Sequence, residues 1–373
     1  MYTDFQNQLL SKLAAINDAG LFNECGTTMS GEAVINSDNG PLLNFRNPYP
    51  FHLNICPSEQ SVKNASISSL EKKIANLLNS ESCILYNSPA DASCALANHL
   101  LDRTDALIYN SLGQFSMNGG ATFCRPTKYK YHGFDTLDIE KQLKLAQAQQ
   151  NRLLIIDAVD IATGNIAPLN SIFELAAKYN AIVAIDQTLS AGIIGNGGRG
   201  ICTLFDTNST AEIQIGSLQN LGINSGAYIA GRREIIDLLR QRTSSIPASA
   251  PITTRDIAAA DAAIDTIAGM NTERQYILQI TNYFIKKLYC LGLEIPPTLS
   301  SRFAVMTGDS STTEAIAETL AKKGVLVTAL IAPHVSKDQC RLIISLSASH
   351  TKEDVEKATS VFESIAAMFP ARE

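Results

Sequence analysis

The 373-residue sequence has no excess of positive charge. Lysine and arginine total 30 against 36 aspartates and glutamates, which gives a net charge of −6 and an isoelectric point near 5.5. The basic residues are scattered along the chain, whereas proteins that bind nucleic acids usually gather them on one face. We therefore expect no nucleic-acid partner.

Long apolar runs are also missing. The N-terminal stretch MYTDFQNQLLSKLAAIND has the apolar spacing of an amphipathic helix, but it contains acidic residues and no continuous hydrophobic segment. Signal peptides and membrane-spanning helices both need such a segment. The sequence predicts a cytoplasmic protein with no membrane span.

The eight cysteines include no CxxC pair and lie far apart, from Cys25 to Cys340. Most fall inside apolar runs such as SCILY and GICTLF, so buried free thiols in a reducing compartment are expected. Their spacing gives no reason to expect a metal site.

Short apolar segments alternate with amphipathic ones through the first two thirds of the chain. SCILYN, RLLIIDAVD, AIVAIDQT and AEIQIGSL are rich in β-branched residues and apolar on both faces, which is typical of strands covered on both sides. Helical spacing is found in SISSLEKKIANLLN, LNSIFELAAKYN and REIIDLLRQR. The alternation predicts an α/β fold with a mainly parallel sheet.

The pattern changes after Pro247, where two helical stretches are followed, beyond Pro296, by three strands and two helices. We therefore predict three parts. They are an N-terminal arm over residues 1–45, a large α/β domain over residues 46–245, and a linker helix with a small α+β domain over residues 246–373.

Several loops after the predicted strands resemble those of the α-oxoamine synthases. The segments are IDAVDIATGNIAPL, IDQTLSAGIIGNGGRG, IQIGSLQNLGINSGAYIAG and RLIISLSASHT. This family of fold-type-I pyridoxal-phosphate (PLP) enzymes includes serine palmitoyltransferase, 8-amino-7-oxononanoate synthase and glycine C-acetyltransferase. The resemblance runs from about Leu42 to about Glu363 and implies an aminotransferase-like fold. It also implies a condensation between an amino acid held on PLP and an acyl thioester.

The resemblance places an asparagine where the family has its catalytic lysine. That lysine forms an imine with PLP, and it corresponds to Asn220 because GSLQNLG stands where the family has GTLSKALG. An amide has no nucleophilic lone pair comparable to that of an amine. No lysine occurs between Lys178 and Lys286, so a shifted alignment does not supply one.

Other functional positions of the family also hold different residue types. The histidine that bonds the phenolic oxygen of PLP corresponds to Leu189, and the ring-stacking histidine to Gly113 or Gln114. Arginines that grip the substrate carboxylate correspond to Ile331 and Ile343. Removing a buried bidentate hydrogen bond of this kind costs on the order of 2–5 kcal/mol, so amino acids are expected to bind poorly.

Some vestiges of the cofactor site remain. Asp186 corresponds to the aspartate that keeps the pyridine nitrogen protonated, while Ser88 and Ser217 fall at cofactor-contacting positions. Thr243 and Ser244 align with hydroxyls that reach the phosphate of the opposite subunit. For Ser88, Thr243 and Ser244, a role as helix caps is the alternative.

These substitutions favour a pseudoenzyme that binds no cofactor. Its partner would be a lysine-bearing homologue, and it would support the condensation of acyl-CoA with an amino acid by that homologue. A homodimer is also compatible with the sequence. Acyl-CoA and acyl carrier protein are candidate ligands. One alternative is a PLP-independent acyltransferase that uses Ser217, Ser190 or a cysteine, although no histidine base is evident. A conventional PLP-dependent synthase with an unrecognised lysine is the other.

Overall fold

The structure is a computed structural model of the chain. It describes residues 2–18, 32–37, 40–47, 51, 53, 55–117, 119–122, 124–205, 211–223, 225–243 and 252–370. Two compact units are present, Met1–Ser30 and Gly31–Glu373. The first contains helix α1, Tyr2–Asp18.

The second unit contains all the strands of the described chain. They are β1 Val34–Ser37, β2 Gly40–Asn44, β3 Ser82–Tyr86, β4 Ala106–Asn110, β5 Thr127–Tyr131, β6 Arg152–Asp157, β7 Ile182–Asp186, β8 Ile213–Ser217, β9 Ala227–Gly231, β10 Arg302–Gly308, β11 Val325–Leu326, β12 Thr328–Leu330 and β13 Cys340–Ser345.

Its helices separate or flank these strands. They are α2 Glu59–Asn64, α3 Ile67–Leu77, α4 Pro89–Ala95, α5 Gln114–Met117, α6 Thr136–Leu145, α7 Leu169–Lys178, α8 Arg233–Thr243, α9 Thr254–Gly269, α10 Asn271–Cys290, α11 Ser310–Lys322 and α12 Lys352–Ser364. None of the helices in the described ranges is both long enough and apolar enough to cross a membrane.

A seven-stranded sheet in the order β3-β9-β8-β7-β6-β4-β5 forms the centre of this unit. The strands β5, β4, β6, β7 and β8 run parallel, and β9 is antiparallel to β8 and β3. Leu154 and Ile156 pack on one face of the sheet, while Leu153 and Ile155 pack on the other. Burial on both faces explains the continuous apolar runs, and the predicted α/β class with a mainly parallel sheet is confirmed.

A second, antiparallel sheet in the order β10-β13-β12 lies in the C-terminal part. One face of β10 and β13 packs in a separate core that also contains Phe45, Phe284 and Phe362. Strand β2 pairs with β11 in a third sheet. The last residues of the predicted N-terminal arm, those of β2, therefore pair with the C-terminal part. The two compact units divide after Ser30.

The seven described cysteines are free. Cys83 and Cys340 are buried, as expected from their apolar surroundings, but Cys56 and Cys290 are exposed. The prediction that the cysteines are buried therefore holds for only some of them.

Candidate functional site

Two aspartates lie side by side where parallel strands of the central sheet end. Asp157 closes β6 and Asp186 closes β7, and the two are directly paired in the strand register. Both side chains are buried. Ligands of open α/β sheets bind at the carboxyl ends of the strands, so this edge is the candidate site.

Asp186 has one carboxylate oxygen without a partner. Its Oδ1 accepts a hydrogen bond from the Thr188 N–H at 2.9 Å, while Oδ2 is buried and has no hydrogen-bond partner among the described residues. Burial raises the pKa of Asp186 to about 6. Because a buried unpaired carboxylate oxygen is costly, the position calls for an N–H donor, and a protonated pyridine nitrogen fits it.

Asp157 was missed as a site residue, although it is the second residue of the quoted segment IDAVDIATGNIAPL. Its carboxylate accepts hydrogen bonds from Gln114 N at 2.7 Å and from Asn110 Nδ2 at 3.2 Å. Burial, and next the charge of Asp186, raise the pKa of Asp157 to about 8. A side chain at Gly113 would place its Cβ 2.1 Å from Asp157 Oδ2, so this arrangement leaves no room for a ring-stacking residue there.

Asn220 lies in a short 3-10 turn, Leu218–Leu221, that follows β8. Its Nδ2 donates to the carbonyl oxygens of Thr188 and Ala191, both at 2.8 Å. Its Oδ1 is buried and has no hydrogen-bond partner in the described chain. The amide therefore ties this turn to the loop after β7, and it is an unreactive group at the position that the sequence resemblance assigns to the lysine.

The other replaced positions hold hydrocarbon. Leu189 is buried in the core with Ile193, and Ile343 is buried in β13, whereas Ile331 is only half-buried. None of these side chains can donate a hydrogen bond to a ring oxygen or a carboxylate.

The candidate serines act as caps or bond to amides. Ser88 Oγ accepts from Asp91 N at 3.1 Å at the start of α4, and Ser217 Oγ accepts from Gln219 N at 3.1 Å. Ser190 Oγ donates to the amide oxygen of Gln187. Since none of these hydroxyls bonds to a histidine in the described chain, the geometry gives no support to a serine nucleophile.

Thr243 ends α8 and lies beside Tyr86, the last residue of β3. Its Oγ1 is 3.2 Å from Tyr86 Oη and 3.5 Å from His99 Nδ1, and it borders a cavity of about 280 Å³. Its predicted companion, Ser244, lies outside the described residues.

A larger cavity of about 570 Å³ lies between α10 and the loops around Ile194 and Ser300. Its walls include Ile193, Ile277 and Leu278. None of the predicted site residues lines it, so it is separate from the strand-end site.

Comparisons with known proteins agree with this geometry. A family model described as "Aminotransferase class I and II" matches residues 57–362. Mitochondrial 2-amino-3-ketobutyrate coenzyme A ligase of Mus musculus is 31% identical over 348 residues, covering 92% of this chain and 82% of that protein. The 8-amino-7-oxononanoate synthase of Petrotoga mobilis is 28% identical, covering 97% of this chain and 98% of that protein.

Solved structures with the same fold include serine palmitoyltransferases. The enzyme from Sphingomonas wittichii superposes with a TM-score of 0.84 at 18% identity, covering 97% of this chain and 98% of the other. A high-resolution structure of SPT with a PLP internal aldimine also gives 0.84, at 16% identity, with 99% of each chain covered.

The expectation that no cofactor binds is wrong. It rested on the joint replacement of the family's lysine, histidines and arginines, yet solved structures with this fold contain PLP, as in the SPT structure with a PLP internal aldimine. One neighbour is a lysine-to-alanine serine palmitoyltransferase from S. paucimobilis with a bound PLP–myriocin aldimine. The expectation gave too little weight to contacts such as the one offered by Asp186, which need no lysine.

Proposed function

Because the chain belongs to the aminotransferase class I and II family, we propose that it is a PLP-binding relative of the α-oxoamine synthases that supports a lysine-bearing homologue. On its own it would not complete the condensation of an amino acid with an acyl thioester. One observation carries this proposal: Asn220, which the resemblance places at the position of the family's lysine, has its Nδ2 committed to two backbone carbonyl oxygens.

Asp186 is the residue that would hold the cofactor's ring nitrogen. PLP, when bound, supplies an electron sink for the substrate carbon. The unpaired Oδ2 of Asp186 would keep a proton on the ring nitrogen, and Asp157 beside it raises the cost of leaving that carboxylate unpaired. The chain thus offers an acceptor at the point where the ring needs one.

Proton transfer at the substrate carbon is the step for which this chain lacks a residue. A general base must lie within hydrogen-bond reach of the proton that it removes. The amide of Asn220 is not basic near neutral pH, and the isobutyl group of Leu189 has no lone pair. A partner subunit with its own complete site would carry the turnover, and this chain would stabilise or regulate that subunit.

Borohydride reduction tests the role of Asn220 directly. When the native chain is treated with borohydride and then denatured, its bound PLP should dissociate. The reason is that no imine joins PLP to the protein, so borohydride has no such bond to reduce. Asn220→Lys should retain PLP covalently at residue 220, as an added mass on the peptide that contains it. Asn220→Gln, which keeps the amide, serves as the control and should behave as the native chain does.

Turnover gives the second measurement. The native chain alone, supplied with PLP, an amino acid and an acyl-CoA, should release no coenzyme A above the rate without protein. A native chain that turns over, or that becomes labelled at one of its own lysines, would contradict the proposal and support a conventional synthase.

A further inference from the structure

The cavity of about 570 Å³ lies outside the strand-end site. It forms between helix α10, the loop after β7 and the segment that leads into β10. Cavities that bind small molecules have volumes of roughly 300–1,000 Å³, and an apolar cavity of about 150 Å³ is large enough for benzene. This cavity therefore has the size of a binding site for a small molecule.

The floor of the cavity consists of buried isoleucines. Ile193 and Ile194 come from the loop after β7, and each is 9% exposed. Ile277 comes from α10 and is buried as well. Because none of these side chains has a polar atom, the floor offers a ligand only apolar contact.

Three exposed leucines line the same cavity. Leu204 ends a short turn after the loop, Leu278 lies on α10, and Leu299 lies in the segment before β10. Their exposed fractions are 49%, 42% and 74%. Single exposed leucines are common on protein surfaces, whereas three that line one cavity with an apolar floor are typical of a binding site.

Arg274 is the only charged side chain that lines the cavity among the described residues. Its Nε and Nη2 donate to the carbonyl oxygen of Gly192 at 3.3 and 3.0 Å. Nη2 also donates to the Ile267 carbonyl oxygen, and Nη1 donates to Asn271 Oδ1 at 3.0 Å. Four of the five guanidinium N–H groups are thus committed, and the nearby charge of Glu273 opposes the effect of burial on the Arg274 pKa. A charged ligand would find no uncommitted opposite charge in this lining.

The other polar groups of the lining are uncharged amides and hydroxyls. They belong to Asn196, Asn271, Gln275, Asn282, Ser300 and Ser301. The amides of Asn196, Gln275 and Asn282 are exposed, so they form a polar rim around the apolar floor. Amide groups both donate and accept hydrogen bonds, and they therefore suit a hydroxyl or another amide.

We propose that this cavity binds an uncharged amphiphile. Its hydrocarbon body lies on the isoleucine floor, and its hydroxyl or amide head lies among the amides of the rim. The volume and the floor favour a small apolar body, and the neutral lining favours a head without charge. The inference goes beyond the proposed function, because it uses no residue of the strand-end site and needs no cofactor.

A tryptophan at the rim provides the first test. The chain contains no tryptophan, so Gln275→Trp introduces a single fluorescent reporter at an exposed position of α10. Titration with 1-hexanol, 1-octanol and 1-decanol should shift its emission to shorter wavelengths. The dissociation constant should fall about fourfold for each added methylene, since each methylene that leaves water contributes about that factor.

Leu278→Gln on the reporter background should weaken the binding of 1-decanol by about tenfold, because an amide replaces part of the apolar wall. Leu238→Gln is the matched control. Leu238 lies on α8 and is exposed to a similar extent, 37%, but it does not line the cavity. This control should bind 1-decanol as the reporter does, and a thermal melt should show that both variants are folded.

A series of head groups tests the class of ligand. Decanoate and decylammonium carry a charge on a hydrocarbon chain like that of 1-decanol, and both should bind more weakly because their charged heads lose water without gaining an ionic partner. Calorimetry of the native chain with the three compounds, at concentrations below those at which they aggregate, gives a measurement that does not depend on the introduced tryptophan.

Three results would overturn the inference. They are no binding of 1-decanol by the native chain in calorimetry, equal weakening in Leu278→Gln and Leu238→Gln, and tighter binding of decanoate than of 1-decanol. None of these measurements involves PLP or Asn220. A failure here is therefore distinguishable from a failure of the proposed function.

Discussion

At position 220 the sequence predicts the local backbone conformation but not the hydrogen-bond partners of the side chain. The glycines around Asn220 indicate a turn after a buried strand, and the structure has a 3-10 turn there that ends at Gly222 with φ 74°. The amide's partners, Thr188 and Ala191, lie 32 and 29 residues away in the sequence. Spacing along the chain does not predict such contacts, because they depend on how β7 and β8 pair.

Asp157 shows the same limit. Its place at the end of a strand follows from the apolar run before it, but its pairing with Asp186 follows from strand order, which the sequence does not specify. The raised pKa values of both carboxyl groups arise from burial and from this proximity. They are therefore properties of the fold rather than of the motif.

These two carboxyl groups should make the cofactor-free chain less stable as pH rises. From an ordinary value of 3.8, burial raises the pKa of Asp186 to about 6 and that of Asp157 to about 8. The folded chain then holds protons that the unfolded chain has released, so the free energy of unfolding falls from about pH 4 to about pH 8. Asp157→Asn should flatten the part of this fall between pH 6 and pH 8.

Urea unfolding of the cofactor-free chain at pH 6 and pH 8 measures this effect. The control is Asp309→Asn, because Asp309 caps α11 at the surface and its hydrogen bonds to Thr312 lower its pKa instead. That variant should keep the native slope over the same range. A free energy of unfolding that rises with pH in the native chain would contradict the expected sign.

Among the secondary-structure elements, those with strong apolar patterns were predictable. The segments RLLIIDAVD and AIVAIDQT contain β6 and β7. Ser88 caps α4 and Pro89 opens it, as expected at a helix start. GVLVTAL, in contrast, divides into β11 and β12, which belong to different sheets. Strand β2 was missed; it pairs locally with β1, but its other partner, β11, lies about 280 residues further along the chain, and local sequence has no information about that pairing.

The turn that contains Asn220 depends on the glycine that ends it. Gly222 has φ 74°, and a Cβ there would lie 2.4 Å from the carbonyl oxygen of Leu53. Gly222→Ala should therefore lower the free energy of unfolding by about 1–3 kcal/mol. It should also weaken PLP binding, because the turn lies beside the loop after β7.

Gly269→Ala is the matched control for this substitution. Gly269 ends α9, and an added Cβ would meet nothing within 4 Å, so the variant should be neutral or more stable by up to about 1 kcal/mol. Thermal or urea unfolding compares the two variants. Equal stability of Gly222→Ala and Gly269→Ala would show that the turn tolerates a side chain.

For the whole molecule, the retained loop segments gave the right family, whereas counting the replaced side chains led to the wrong expectation that no cofactor binds. By the resemblance, the replaced groups are those that react with PLP, stack on it or bond its phenolic oxygen and the substrate, whereas the orphaned oxygen of Asp186 needs only a buried strand end. The position of Asp186 depends on the whole sheet, because β7 lies between β6 and β8. A site can therefore lose its reactive groups and keep the framework that receives the ring.

Association with a lysine-bearing homologue is the prediction that concerns the assembled molecule. The resemblance places Thr243 where the family contacts the phosphate of the opposite subunit, and here its hydroxyl is 3.2 Å from Tyr86 Oη. Affinity purification from the native cell should recover the homologue together with this chain. Recovery of this chain only with copies of itself would contradict the pairing.

The purified pair also allows the contribution of Thr243 to be measured. Thr243→Ala should increase the rate at which PLP is lost from the partner subunit on dialysis by up to about tenfold, because one hydrogen bond to a charged phosphate is removed. Tyr86→Phe removes the hydrogen bond between Tyr86 and Thr243 but keeps the threonine hydroxyl, so it should leave the partner's PLP in place. Equal rates of PLP loss in Thr243→Ala and Tyr86→Phe would contradict a contact with the phosphate. They would show that the Thr243 hydroxyl acts only by its hydrogen bond to Tyr86, within its own subunit.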